Sequence, residues 1–400
     1  MKKEKSRQNR FRCVMVPLII CCLFGILCGC SSGKTSADTS AFVENSGQQT
    51  AKEWDKMSVT GTISLKYATQ FQIDCYDDYR LITMATGEKY LVVPENQTVP
   101  SNLPEDIVVL QQPLDHIYLV ATSAMDLFRA LDSMDSIRLT GTEASGWYIP
   151  EAKQAMEEKK ILYAGKYSAP DYELIISEGC DLAIESTMIY HSPDIQEQLE
   201  KVGVPVFVER SSYESDPLGR MEWIKVYGTL MGKEEEAAAW FDQEVAGLSD
   251  ILQQDNTGKT VGFFYITSNG AANIHKPGDY ITKMIELAGG KYAISSVEAD
   301  ENAMSTMNMQ MENFYLEAKD ADILIYNSTI DGELDSMSQL LDKSELLGEF
   351  KAVKDGTVWC TNKNMFQEST GVGKMIQDIH KILTNENVSD SELTYLHRLK

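Results

Sequence analysis

The stretch Pro170-Asp171-Tyr172-Glu173-Leu174-Ile175-Ile176-Ser177-Glu178-Gly179-Cys180-Asp181-Leu182-Ala183-Ile184 decides the fold. It reads as a short helix, Tyr172 to Ser177, a break at Gly179, and an apolar strand, Leu182 to Ile184. The same unit recurs on both sides. Upstream, Ile117 to Ala121 is a buried-type strand, followed by Met125, Leu127, Phe128 and Leu131 at helical spacing. Ile137 to Thr140 is a strand, Pro150 to Lys159 a helix, and Ile161 to Tyr163 a strand. Downstream, a helix over Asp194 to Val202 leads to a strand over Val206 to Glu209. Strands alternating with helices predict a parallel sheet covered on both faces.

The alternation restarts past Gly258, with strands at Val261 to Ile266, Ile323 to Tyr326 and Val358 to Thr361. Helices are expected at Tyr280 to Leu287, Met311 to Ala318, around Gln339 to Leu341, and at Gly373 to Leu383. Between the two series, Pro217 to Gln254 reads as helical. Ala237, Phe241, Val245, Leu248 and Leu252 line one face at steps of three and four. A continuous helix from Glu234 to Gln254 would be about 31 Å long, enough to brace one lobe against another. Ahead of the first series, Thr60 to Leu65, Phe71 to Cys75, Tyr79 to Met84 and Tyr90 to Val93 read as a small antiparallel meander. The expected architecture is α/β: lobe, stiff helix, lobe, with the meander added to the first lobe.

Before all of this stands Leu27-Cys28-Gly29-Cys30, after a basic start and an apolar run of 15 residues, Cys13 to Leu27. A membrane-spanning helix needs about 20 residues, so this is signal length, and the pattern is that of a lipoprotein export signal. Cleavage before Cys30 would leave a lipid on its sulfur and place the body outside the cytoplasm, anchored to the cell membrane. Residues 31–55 are rich in Ser, Thr, Gly, Gln and Ala and read as a flexible linker. About 20 such residues reach about 25 Å. The predicted divisions are 1–30 signal, 31–55 linker, 56–216 N-terminal lobe, 217–256 helical segment and 257–400 C-terminal lobe.

The chain carries a formal charge of −24, and its first thirty residues contribute +5, leaving about −29 for the remainder. That balance argues against nucleic acid and against adsorption to anionic lipid, so the lipid is the expected membrane contact. Of eight cysteines, Cys75, Cys180 and Cys360 lie in the body. They do not make a disulfide framework, and one bridge stays open. There is no GxSxG, HExxH or GxxxxGK[ST] motif, and no nucleophile–base pair can be placed, so an enzyme is not expected. The five histidines (His116, His191, His275, His380 and His397) show no paired ligand spacing. Neither a metal centre nor a resident cofactor is expected.

Ligands in open parallel sheets sit beyond the carboxyl ends of the strands. Those ends offer Thr122 and Ser123, Trp147, Lys166 and Tyr167, Tyr190, Arg210 and Tyr213, Thr267 to Asn269, Asn327 to Thr329, and Asn364 to Phe366. Aromatic rings, hydroxyls and amides suit a binding cleft. Candidate ligand contacts are Trp147, Lys166, Tyr167, Tyr190, Arg210, Arg220 and Phe366. The cations suit an anionic group and the rings a flat macrocycle. The plain alternatives are that the rings cap the core, that Lys166 and Arg210 pair with Glu209, Glu214 or Asp171, and that Arg220 pairs with Asp216. The run Met304 to Met309 is read either as ligand contact or as core and loop.

Pro170 to Ile175 with Gly179 to Ile184 resembles the "P-x-x-E-x-I … P-D-L-V-I" pattern of ABC-transporter solute-binding proteins for iron-siderophores, haem and vitamin B12. Leu199 to Val206 is similar to that family's "L-x-x-x-G-I-P-V" step. Tyr227 to Ala237, Leu287 to Gly290 and Ala321 to Ile325 resemble three further motifs in the same order. The resemblance covers about 115 to 385. It implies two Rossmann-like lobes joined by one rigid helix, closing on an iron chelate, haem or corrinoid. It also implies a monomer that docks on an ABC permease through one acid per lobe: Asp194 or Glu197 in the first, Asp331 or Glu333 in the second. A carrier of free metal ion, and a sensor lipoprotein of the same fold, are the alternatives.

Overall fold

In the computed structural model the described residues are 51–298 and 306–400. The export signal, Cys30 and nearly all of the linker fall outside them. The first helix–strand series forms a five-stranded sheet in the spatial order Val206–Glu209, Leu182–Ser186, Ile117–Leu119, Ile137–Thr140, Leu162–Tyr163. Every pairing is parallel. Both faces are buried because the alternating side chains feed two cores. Ile117, Leu119, Leu182 and Ile184 enter one, and Tyr118, Ala183, Val206 and Val208 enter the other. The strand order reverses between Ile117–Leu119 and Leu182–Ser186, which makes a topological switch point there.

The second sheet has seven strands. Thr260–Ile266, Ile323–Tyr326 and Val358–Thr361 are parallel at its centre, as their apolar runs predict. The periodicity did not predict its flanks. Ala272–His275 folds back antiparallel on Thr260–Ile266, Thr306–Met309 pairs with that strand, and Leu396–Arg398 runs antiparallel to Val358–Thr361. Lys291–Tyr292 adds a short parallel pair. His397 lies in this last strand, where it contacts Asn362 Oδ1 (2.7 Å) and the Leu334 carbonyl (2.8 Å).

The N-terminal strands form a third sheet: Gly61–Thr62, Phe71–Tyr76, Tyr79–Met84, Lys89–Val93 and Ile107–Gln111. The first four pair antiparallel, but Ile107–Gln111 joins in parallel. The expected meander is thus extended by a strand that returns across the 94–106 connection. Thr60 to Leu65 contributes only two strand residues. Its continuation is a turn, 66–70, whose N–H groups are bound by side chains, while the Gln70 carbonyl accepts from the Ala85 N–H at 2.8 Å.

The helical segment also departs from expectation. It comprises Pro217–Glu222, Ile224–Met231, Glu234–Ala246 and Ser249–Leu252. Gly232 ends the second helix with a left-handed φ of +65°, a conformation that favours glycine. The third helix stops before Gly247. At 13 residues it is about 20 Å long, not 31 Å. Glycine weakens helix propagation, and Leu248 behind it is fully buried. One apolar core runs from Phe71 in the N-terminal sheet through Trp223, Ile224 and Tyr227 to Val261 and Ile376. By their contacts, the described residues form a single compact unit.

Glu185 is an anomaly in the first sheet. It is fully buried, and neither carboxylate oxygen has a hydrogen-bond partner. Burial pushes its pKa up to about 8, well above a solvated glutamate. The unfolded chain therefore releases this proton at lower pH than the folded one, and stability falls as pH rises from about 4.5 to about 8. The Glu185→Gln protein is expected to melt several degrees above wild type at pH 8.5 and within a degree of it near pH 4.5. Parallel melting curves across that range would show that Glu185 is not the titrating group.

Candidate functional site

A cavity of about 490 Å³ opens at the carboxyl ends of the parallel strands of both sheets. Small-molecule clefts are about 300–1,000 Å³. From the first sheet come Thr122 and Ser123, just beyond the switch-point strand Ile117–Leu119, and Ser211 and Ser212 after Val206–Glu209. From the second come Tyr265 at the end of its central strand, Asn327 and Thr329 after Ile323–Tyr326, and Met365 and Phe366 after Val358–Thr361. This is where the strand-end rule locates a ligand in an open sheet.

The most structured part of the wall is His275 with Asp279. His275 ends the returning strand Ala272–His275, and Asp279 caps the helix Tyr280–Leu287 by accepting from the Ile281 N–H at 2.8 Å. The same oxygen, Oδ1, meets His275 Nδ1 at 2.8 Å. The Tyr292 hydroxyl donates to the His275 carbonyl at 2.7 Å and fixes the strand end. With Nδ1 committed, Nε2 is the ring nitrogen left for a ligand. Asp279 is fully buried, and its Oδ2 has no partner. A buried carboxylate oxygen without a donor is costly.

Arg220 enters from the helix Pro217–Glu222. Its guanidinium lies over the Tyr280 ring, 3.4 Å from the centroid, a cation–π contact. It donates to the Ser212 carbonyl at 2.7 Å and the Glu214 carbonyl at 3.2 Å. Burial lowers its pKa and raises that of Tyr280 to about 12, so the cation sits in a poorly solvated place. Beneath the serines lies buried Glu209, which accepts from the Ser211 N–H (2.8 Å) and the Ser123 hydroxyl (3.2 Å). Burial raises its pKa too.

The rim is stitched across the two sheets. Ser369 donates to the Ser123 carbonyl (2.7 Å), Gln367 donates to the Gly146 carbonyl (2.8 Å) and accepts from the Tyr148 N–H (2.7 Å), and Thr370 donates through its N–H to buried Asp126 (2.8 Å).

Of the seven ligand candidates, Arg220 and Phe366 line the cavity. The others lie elsewhere. Trp147 is buried in the main core. Lys166, in the Gly165–Lys166 strand of a short hairpin, is exposed, and Tyr167 packs against the first sheet's outer core. Arg210 is buried, stacks 4.4 Å over Tyr213, and donates to the Tyr190 hydroxyl (3.0 Å) and to Gln70 (3.4 Å). That pairing with rings and an amide replaces the acids considered as its partners. Arg220 likewise uses backbone carbonyls rather than Asp216, which caps its own helix through the Leu218 N–H. In the Met304 to Met309 run, Thr306 lines the cavity, while Met309 is buried in core.

His275, Asp279 and Tyr280 were not singled out by the sequence. The missing step was the strand Ala272–His275. Asn269-Gly270, right after a strand ending at Ile266, is a hairpin signal, and Gly270 does take a φ of +80°. Asp279 ahead of Ile281, Met284 and Ile285 is a helix-cap signal.

Asp194 and Glu197 lie exposed on the helix Pro193–Lys201, with Glu197 3.2 Å from Lys201. Asp331 pairs with Lys343, and Glu333 accepts from the Lys363 N–H at 2.7 Å. Cys75, Cys180 and Cys360 are free thiols. Asp115, His116 and Asp181 bring ligand-type atoms within 4.8 Å of one another. That group lies at the amino ends of the strands, away from the cavity, and Asp181 there accepts from the Asp115 and His116 N–H groups.

Residues 119–364, more than half the chain, match the model of a family described as periplasmic binding protein. An uncharacterized lipoprotein of Methanocaldococcus jannaschii is 24% identical over 351 residues, covering 80% of this chain and 82% of its own. Among solved structures, the periplasmic haem-binding protein HutB of Vibrio cholerae superposes with a TM-score of 0.54 at 16% identity, over 68% of this chain and 98% of that one. An ABC-type Fe3+-hydroxamate transport protein of Saccharomonospora viridis gives 0.51 at 18% identity, over 68% and 94%. The strand order, the cavity at the switch point and these matches agree: the chain belongs to the periplasmic binding protein family, whose members bind small solutes for ABC permeases.

Proposed function

We propose that this protein is a lipid-anchored, extracytoplasmic solute-binding protein that captures a metal-centred macrocycle, haem or a corrinoid, and hands it to an ABC importer. The observation that carries the ligand class is His275. One ring nitrogen is held by Asp279 at 2.8 Å and the other is left for the cavity. A carboxylate behind an imidazole orients it and raises its basicity toward a metal. Haem and corrinoids carry open or exchangeable axial positions, whereas the iron of a hexadentate siderophore is already saturated. Phe366, Tyr265 and Met365 supply apolar and aromatic wall beside it.

Carrier function fits the remaining features. No helix among the described residues is long and apolar enough to cross a membrane, so the membrane contact in this reading is the Cys30 lipid and the flexible linker. The two strand–helix sheets act as lobes that close only slightly, since the apolar core is continuous between them and packed interiors resist continuous deformation. Asp194 or Glu197 on one side and Asp331 or Glu333 on the other remain the proposed permease contacts.

The mature protein titrated with haemin, aquocobalamin and a ferric hydroxamate is expected to bind a macrocycle below about 10 µM, roughly −7 kcal/mol, and to shift its visible absorption. Binding of the hydroxamate alone would assign the other ligand class, and no binding to any of the three would reject this reading. His275→Ala is expected to weaken macrocycle binding at least tenfold and abolish the absorption shift, with added imidazole restoring the shift. Asp279→Asn is expected to fall between that variant and wild type. An unchanged absorption spectrum in His275→Ala would remove His275 from the metal.

A further inference from the structure

The N-terminal sheet precedes the family-matched span of 119–364, yet its turn is bound directly to the helix that carries Arg220. Five consecutive backbone N–H groups, Lys66 to Gln70, donate to two fully buried carboxylates. Lys66, Tyr67 and Ala68 reach Glu222 at 2.7–3.0 Å, and Thr69 and Gln70 reach Glu214 at 2.9–3.0 Å. The Thr69 hydroxyl adds a bond to Glu214 at 2.9 Å. The approach is close: a Cβ on Gly219 would stand 3.0 Å from the Tyr67 carbonyl oxygen. Glu214, Gly219 and Glu222 bracket Arg220 in sequence, and Arg220 itself donates to the Glu214 carbonyl at 3.2 Å.

We propose that the 66–70 turn is a positioning element for the ligand cavity. By locking Glu214 and the helix Pro217–Glu222, it holds the Arg220 guanidinium over Tyr280, where it meets an anionic group of the ligand. A long cationic side chain left unheld samples many rotamers. The turn removes that freedom from the backbone side and Tyr280 removes it from the ring side. The N-terminal sheet is then part of the binding machinery rather than an appendage.

The test has a ligand-free arm and a ligand arm, and only the second rests on the function proposed above. In the first, the rate of phenylglyoxal modification at Arg220 is followed by peptide mass mapping in wild type, Glu214→Gln and Gly219→Ala. Thr69→Val, which loses the hydroxyl's bonds to Glu214 and to the Gln70 amide and keeps the backbone ones, serves where either of those fails to fold. The rate is expected to rise at least fivefold in a folded variant. A wild-type rate in every folded variant overturns the proposal. In the second arm, haemin affinity is measured well below the melting temperature in a double-mutant cycle of Glu214→Gln with Arg220→Ala. Each single variant is expected to bind about tenfold more weakly, and the double variant no more weakly than Arg220→Ala alone, because strongly coupled sites are non-additive. Additive losses would mean that Glu214 acts on the fold alone and would overturn the proposal. Should wild type bind no haemin, the modification rate decides this inference by itself.

Discussion

Two buried carboxylates, Glu214 and Glu222, tie the N-terminal sheet to the helix Pro217–Glu222. An isolated carboxylate in an apolar interior is prohibitively expensive. Glu214 and Glu222 avoid that cost because a run of backbone N–H groups converges on them, with the Trp223 indole N–H on Glu214 (3.0 Å) and the Lys225 ammonium on Glu222 (2.7 Å). Charge-assisted bonds of this kind are short and about twice as strong as neutral ones. Removing one partner of such a buried set costs about 3–5 kcal/mol. The same bonds satisfy the five N–H groups of a turn that has no strand to pair with. The turn and the carboxylates each solve the other's desolvation problem.

From that clamp the geometry follows outward. Phe71, right after the turn, packs edge-on against Trp223 with centroids 5.1 Å apart. Lys225 reaches back to the Ser64 carbonyl at 2.7 Å. The helix so fixed carries Arg220 to the cavity, where Tyr280 meets it. Tyr280 opens the helix that Asp279 caps, and Asp279 in turn orients His275. A short relay of packed and hydrogen-bonded groups thus runs from the N-terminal sheet to the imidazole. The continuous apolar core alongside it gives the cleft stiff walls, as a carrier that must release its solute without unfolding needs.

Much of this was legible locally. The parallel strands of both sheets, the helices between them and the position of the cavity at the strand ends follow from apolar runs and from the geometry of open sheets. What escaped was of two kinds. Short antiparallel strands such as Ala272–His275 have no periodicity of their own, and with them went His275. The strand ends were also sorted by residue type, which favoured Lys166, Trp147 and Arg210. Their side chains turn to solvent, to the core and to Tyr190 and Tyr213, because residue type does not say which way a side chain points once the strand has ended. The long helix was misjudged for a related reason: its apolar spacing persists through Gly247, but propensity and the burial of Leu248 end it there.

By itself the sequence determined the α/β class, the order of its elements, the acidic surface and the export-type start, since each depends on composition or on patterns a few residues long. Only the tertiary structure decided which polar groups meet. Lys66 to Gln70 and the carboxylates of Glu214 and Glu222 are about 150 residues apart in the chain, and Arg220 and Tyr280 come from different sheets' helices. No local pattern encodes such pairs. They are selected because a buried charge or amide must find a partner, and only the folded chain brings the partners within 3 Å.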